Sequence, residues 1–197
     1  MSNIIQLSGR KRSGKDWTAT AIKEQLESHG YSVEVMSFAE PLKDIASIIL
    51  DMPLSDLEFA KNTDAYLLES TNSQPEYLIS FRSLLQRLGT EAMKKYFGKS
   101  VWYDLLINRI EQSSADYILV PDYRFPEETI PGALTVRIYS TSVDLTDNHT
   151  SETALDDFVF DHVLDNSDKQ LTESDIARFV SNHIIKENDV KSYQGNL

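Results

Sequence analysis

Two glycines and a lysine raise the first chemical question. In IIQLSGRKRSGKDWTA (residues 4–19), Gly9, Gly14 and Lys15 stand at the spacing of the phosphate-binding pattern G-x-x-x-x-G-K-[ST]. Only the last position departs, with Asp16 where a hydroxyl is usual. Glycines let a backbone curl until successive N–H groups point at one anion, and a helix that follows adds its positive end. Lys15 suits the β- and γ-phosphates of a nucleotide such as ATP. Asp16 has two readings: a carboxylate that contacts Mg2+, directly or through water, or a first-turn acid favoured by the helix dipole. Ser13 and Thr18 are hydroxyls close enough in sequence to share the metal's oxygen shell. The candidate ATP contacts are therefore Gly9, Arg10, Ser13, Gly14, Lys15, Asp16, Trp17 and Thr18.

A loop of this kind needs a strand before it and a helix after it. Ile4, Ile5 and Leu7 make a short apolar strand ending at Ser8. Ala19, Ile22, Leu26 and His29 then follow helical spacing, with Gly30 as a stop. SVEVMSF (32–38) alternates and reads as the second strand, so the unit is strand–loop–helix–strand, which implies a parallel sheet. Pro41 opens a helix over about 41–51. Residues 52–80 mix helical fragments with a polar loop. SFRSLLQRLGTEAMKKYFG is a long helix bent or broken near Gly89, and 101–112 is another. DYILVPD (116–122), LTVRIYS (134–140) and FVFDHVL (158–164) supply three more strands, helix 172–187 closes the fold, and 188–197 is a loose tail. The expected class is α/β: a three-layer P-loop fold, a five-stranded parallel sheet with helices on both faces. The expected organisation is one domain over 1–187, with a helical insertion at about 41–113 and a short lid at about 141–157.

Further candidates lie where such a sheet presents ligands. ILVPDYR places Asp122 and Arg124 just past the carboxyl end of a buried strand. Asp122 would orient a metal-bound water or Lys15, or hold an acceptor. Arg124 would stabilise the phosphoryl group in transfer or bind an acceptor phosphate; the bland alternative is that the two simply pair. Arg82 and Gln86 are four apart and share a helix face if the helix is continuous there. A guanidinium grips phosphate with paired donors, and an amide both donates to and accepts from a base edge.

Bulk composition narrows the classes. The 197 residues suffice for one full core. Nineteen basic against 31 acidic residues give a net charge of −12, which repels nucleic acid and anionic membrane. The one dense cationic cluster is Arg10, Lys11, Arg12 and Lys15, inside the glycine loop, so the expected ligand is a small, highly charged anion. No run has the length of a membrane span or a signal peptide. With no cysteine there are no disulfides or thiolate sites, and a cytoplasmic location is expected.

LSGRKRSGKDWTA, FAEPLKD, RSLLQRLGTE, VWYDLL and VPDYRFPEE together resemble the deoxynucleoside monophosphate kinases of tailed bacteriophages, over nearly the whole span from Ile4 to about Asn166. That family carries the same loop with aspartate after the lysine, so Asp16 follows its pattern. The resemblance implies a nucleoside monophosphate kinase-like fold, ATP and Mg2+ as cofactors, and transfer of the γ-phosphoryl group to a deoxynucleoside monophosphate. It assigns Lys43, Arg82, Gln86, Gly89, Thr90, Trp102, Asp122, Arg124 and Glu128 to the acceptor nucleotide, and it makes a homodimer an expected form. His149 and Glu152 fall at similar spacing to a family histidine and glutamate and would help close over the donor.

Common monophosphate kinases place arginines in the lid between their last two strands. Here Ile138 to Asp168 holds eight carboxylates and no lysine or arginine. The expectation is that the basic loop, Arg10, Lys11 and Arg12, supplies this charge stabilisation instead, so that the catalytic set is Lys15, Lys11, Arg12 and Arg124, with Asp122 as an orienting group. Two rivals share the loop: a phosphomevalonate kinase-like enzyme, in which Gln86 and Trp102 would be idle, and a nucleotide-gated module that hydrolyses ATP without an acceptor.

Overall fold

A computed structural model describes residues 2–63, 66–68, 79–143 and 150–185, and in it the chain divides into two compact units. The first is built from Met1–Met36 and Arg109–Leu197, the second from Ser37–Asn108.

The first unit holds five parallel strands: β1 (Asn3–Ser8), β2 (Val33–Val35), β5 (Tyr117–Val120), β6 (Leu134–Tyr139) and β7 (His162–Asp165), in the order β2-β5-β1-β6-β7. The register sets Asn3 against Tyr117, Ile5 against Leu134 and Ser8 against Arg137. Side chains alternate across a strand, so Ile5, Leu7, Val33, Tyr117, Leu119, Val136 and Ile138 share one face. On it they pack with Ala19, Ile22 and Leu26 of α1 (Lys15–Ser28) and Ile176 and Phe179 of α8 (Glu173–Phe179). The intervening Gln6, Ile118 and Val120 are buried too, so the sheet is covered on both faces, as parallel sheets require. Connections leave β1 toward β2 on one side and run from β6 to β7 on the other. The sheet therefore has its switch point at the carboxyl end of β1, where such folds open a crevice.

The fifth strand differs from expectation. It begins at His162, because Phe158 and Phe160 are drawn into an aromatic cluster instead of pairing. Their ring centroids lie 4.8 Å apart, and Phe158 sits 5.6 Å from Tyr123. Asp161 then fastens the new strand to β6, accepting from the Thr135 N–H at 2.8 Å and its hydroxyl at 2.7 Å. The last helix turns into a wider π segment over Val180–Ile185. Positions 188–197 lie outside the described residues.

The second unit, taken by itself, contains α2 (Glu40–Leu50), α3 (Leu54–Thr63), a small antiparallel pair β3 (Tyr66–Leu68) and β4 (Ile79–Ser80), and α4 (Phe81–Gln86). That pair was not foreseen within 52–80. A π segment at Arg87–Met93 leads from α4 into α5 (Lys94–Phe97), so the break expected near Gly89 is a widened turn. α6 (Val101–Gln112) returns the chain to the first unit. Ala46, Leu57 and Phe81 form the buried centre, with Leu84 and Leu85 packed against it.

Candidate functional site: a phosphate loop at the sheet's switch point

β1 delivers the chain into the loop at Ser8, and α1 starts at Lys15, so residues 9–14 lie at the switch point. The turn is closed by the Ser13 N–H donating to the Arg10 carbonyl at 3.1 Å, and Thr18 opens the helix by donating its N–H to Gly14 O at 2.9 Å. Gly14 has φ 91° and ψ 10°, a left-handed conformation that side-chain-bearing residues avoid. A Cβ there would come within 2.2 Å of Asn166 Nδ2, which donates to Ser13 O at 2.9 Å. At Gly9 a Cβ would stand 2.9 Å from the Ile138 carbonyl. Both glycines are thus demanded by the loop's close fit. Gly14→Ala is expected to destabilise the protein by about 1–2 kcal/mol from backbone strain alone. A melting temperature lower by several degrees should follow; an unchanged one would count against this account.

Lys15 is nearly buried, with 11% of its side chain exposed. Burial, and next the Arg124 guanidinium, push its pKa down, while Asp16, Asp122 and Glu152 pull it back up. Asp16 is 95% exposed in its side chain, with one oxygen 3.7 Å from the Lys15 ammonium. Among the described residues no three His, Cys, Asp or Glu side chains cluster as a metal cage. An exposed hard-oxygen donor beside the phosphate lysine fits Mg2+ all the same, since that ion takes one or two carboxylates and fills its shell with phosphate oxygens and water. Ser13 Oγ is buried with no hydrogen-bond partner, a polar atom left open in the loop. The Thr18 hydroxyl, by contrast, bonds back to Gly14 O at 3.1 Å and is fully buried, so its expected role as a ligand contact gives way to a structural one. Trp17 is 41% exposed.

Arg124 is positioned by a chain of contacts that starts on β1. Buried Gln6 donates to Glu128 O at 2.8 Å and accepts from the Ile130 N–H at 2.8 Å, pinning the loop after β5. The buried Glu128 carboxylate then accepts from the backbone N–H groups of Arg124 (3.0 Å) and Phe125 (3.1 Å). The oxygen making these bonds shapes the loop that carries Arg124. The Arg124 guanidinium donates to Glu152 and, at 3.2 Å, to Ser151 O, both on the short helix α7 (Thr150–Thr153). The other Glu152 oxygen accepts from the Lys11 backbone N–H at 2.8 Å.

A second ionic node lies beside the loop. Asp156 binds the guanidinium of Arg10 and, at 3.0 Å, that of Arg137, which also donates to Ser8 Oγ at 3.0 Å. The acid-rich segment after β6 does not merely lack cations; two of its carboxylates hold cations of the phosphate region. Arg10 is correspondingly occupied. His149 lies outside the described residues.

In the second unit, Lys43 is half-buried near the start of α2, and the backbones of Arg82 and Gln86 sit one turn apart in α4. Gly89 and Thr90 fall in the π segment. Two assignments change here. Trp102 is 5% exposed, and its indole N–H donates to Gly89 O at 3.1 Å, so it braces the π turn and does not offer a face to a base. Gly89 is buried with its Cα so near α2 that a Cβ would meet Leu42 Cδ2 at 2.8 Å, which makes it a packing residue.

A family model described as deoxynucleotide monophosphate kinase matches residues 51–174. The chain belongs to that family. It is therefore an enzyme, and a kinase. Among solved structures, cobyrinic acid a,c-diamide synthase from Mycobacterium smegmatis with bound ADP and magnesium matches at a TM-score of 0.42 and 11% identity, over 94% of this chain and 83% of that one. No curated protein matches. In the described residues of the kinase no helix is long and apolar enough to cross a membrane.

The kinase also uses residues that sequence reasoning passed over. They are Arg137 and Gln6, polar positions within β6 and β1, and Asn166, the residue after β7. Each acts across more than a hundred positions of chain, on Ser8, on the 128–130 loop and on Ser13. The available signal was a polar residue inside an otherwise apolar strand, which demands a partner when buried.

Proposed function

We propose that the kinase transfers the γ-phosphoryl group of ATP to a deoxynucleoside 5′-monophosphate, giving ADP and the deoxynucleoside diphosphate. The observation that carries this reading is a glycine loop that opens α1 at Lys15 and is joined through Glu152 to the Arg124 guanidinium; the family membership supports it. Phosphoryl transfer requires positioning and charge neutralisation more than covalent help, so no general base is assigned. In this reading Gly9, Ser13, Gly14 and Lys15 hold the donor's phosphates through N–H groups and one ammonium. Asp16 would hold Mg2+, which supplies charge neutralisation between the β- and γ-phosphates. Lys11 and Arg12 add positive charge at the loop, and Asp122 orients Lys15. Arg124 binds the oxygens of the group in transfer. Lys43, Arg82, Gln86 and Thr90 recognise the acceptor, with the cations on its phosphate and Gln86 on its base edge. Homodimerisation and a cytoplasmic location belong to the same reading.

The test is a coupled ADP-release assay with ATP, Mg2+ and each of the four deoxynucleoside monophosphates in turn, with mevalonate phosphate and no acceptor as controls. Acceleration by at least one deoxynucleotide is expected. Equal ADP release with and without every monophosphate would overturn the proposal.

A further inference from the structure

Glu152 sits in an environment that ordinarily belongs to an anionic ligand. Its side chain is 6% exposed. One oxygen accepts from a glycine-loop amide, Lys11 N–H, at 2.8 Å; the other accepts from the guanidinium of Arg124; and its charge acts on Lys15. A backbone amide of the loop, an arginine fork and a buried lysine are the three kinds of donor that phosphate recognition uses. We propose that Glu152 is a resident substitute for a phosphate: it holds the Lys11 amide and the Arg124 guanidinium, and the donor's phosphates must displace it to bind. The proposal rests on the loop being the donor-phosphate site.

Charge explains why the carboxylate cannot simply stay. The Lys11 amide and the Arg124 guanidinium are both taken by the Glu152 carboxylate. A phosphate arriving beside it would meet a like charge, and removal of Glu152 from its two partners leaves both donors to the incoming oxygens. Glu152 stands on a helix of only four residues, with its two bonds to the loop amide and Arg124 as the contacts an exchange would break. Its neighbour Asp156 behaves differently. It bridges two guanidiniums, Arg10 and Arg137, and leaves one positive charge in excess there, so it can remain in place while phosphate binds. Displacement also releases Arg124. Entry of the donor and freeing of the transfer cation thereby become one event.

A merely structural Glu152 predicts the opposite sign from a competitor, which makes the test direct. Binding of sodium tripolyphosphate with Mg2+ to the full chain is measured by calorimetry for wild type, Glu152→Gln and Glu152→Asp. The near-isosteric amide keeps the shape but loses the carboxylate's charge-assisted bonds. Tripolyphosphate should therefore bind Glu152→Gln about tenfold more tightly. The aspartate, charged but a methylene short, should fall between the two. Equal or weaker binding by both variants, with wild type binding normally, would overturn the proposal alone. Binding by none of the three would overturn the donor-loop reading and the proposal with it. Should the amide variant fail to fold, the aspartate variant decides: tighter binding than wild type supports displacement, and equal or weaker binding overturns it.

Discussion

Lys15→Met is expected to lower kcat by roughly 10³-fold, the scale of losing one preorganised charge stabiliser from a phosphoryl-transfer site. The same change should not cost the empty protein its stability. Lys15 is nearly buried, and its pKa is held below that of an ordinary lysine, with burial the leading cause and Arg124 the next. The native state therefore binds that proton less tightly than the unfolded chain does. Below the depressed value the wild type carries a charged lysine against that penalty. The penalty fades as pH rises from the depressed value toward 10.5, because stability increases wherever the unfolded state binds more protons. Methionine has similar length and no charge to desolvate. The variant should thus melt at or above the wild-type temperature near neutral pH, with its advantage shrinking toward pH 10. Calorimetry across that range, beside steady-state rates, checks both halves. A variant that melts well below wild type at neutral pH would show that Lys15 supports the fold through its charge.

The second large effect is expected at Arg124. Arg124→Lys keeps a positive charge for Glu152 and so keeps the buried carboxylate compensated. It loses the planar fork, and a single ammonium cannot hold two phosphoryl oxygens while reaching the same point. Turnover should fall by about 10²–10³-fold, with the dissociation constant for ATP changed far less, since the cation acts chiefly on charge that develops during transfer. Single-turnover rates with saturating nucleotides separate the two quantities. A variant with unaltered turnover and weakened ATP binding would assign Arg124 to holding the donor.

Much of the first unit was legible because its signals are local. The glycine spacing, the apolar run before it and the helical periodicity after it fall within residues 4–30, and loop and helix follow accordingly. α6 begins and ends where the sequence places it. What escaped depends on contacts made at a distance. FVFDHVL is rich in strand-favouring residues, yet its aromatic half answers to Tyr123, a residue 35 positions earlier than Phe158, and the ladder starts only after it. Trp102 illustrates another limit: a tryptophan at a helix start fits a base platform and a core brace equally well until the carbonyl that takes its N–H is known. The same holds for the carboxylates between β6 and β7. As composition they read as missing cations; as structure, Glu152 and Asp156 are the partners of Arg124, Arg10 and Arg137.

The place of β1 within the sheet has a consequence for how the chain is made. Its two neighbours are β5 and β6, so Asn3 waits for Tyr117 and Ile5 for Leu134. A ribosome adding about 5–20 residues per second needs roughly 6–26 s to produce those partners. Throughout that interval the emerging apolar segment Ile4–Leu7 has no edge to join, and long-range parallel pairing is slow even once both sides exist. Newborn chains should therefore depend on holdase chaperones during translation. A circular permutant that starts at β5 should depend on them less.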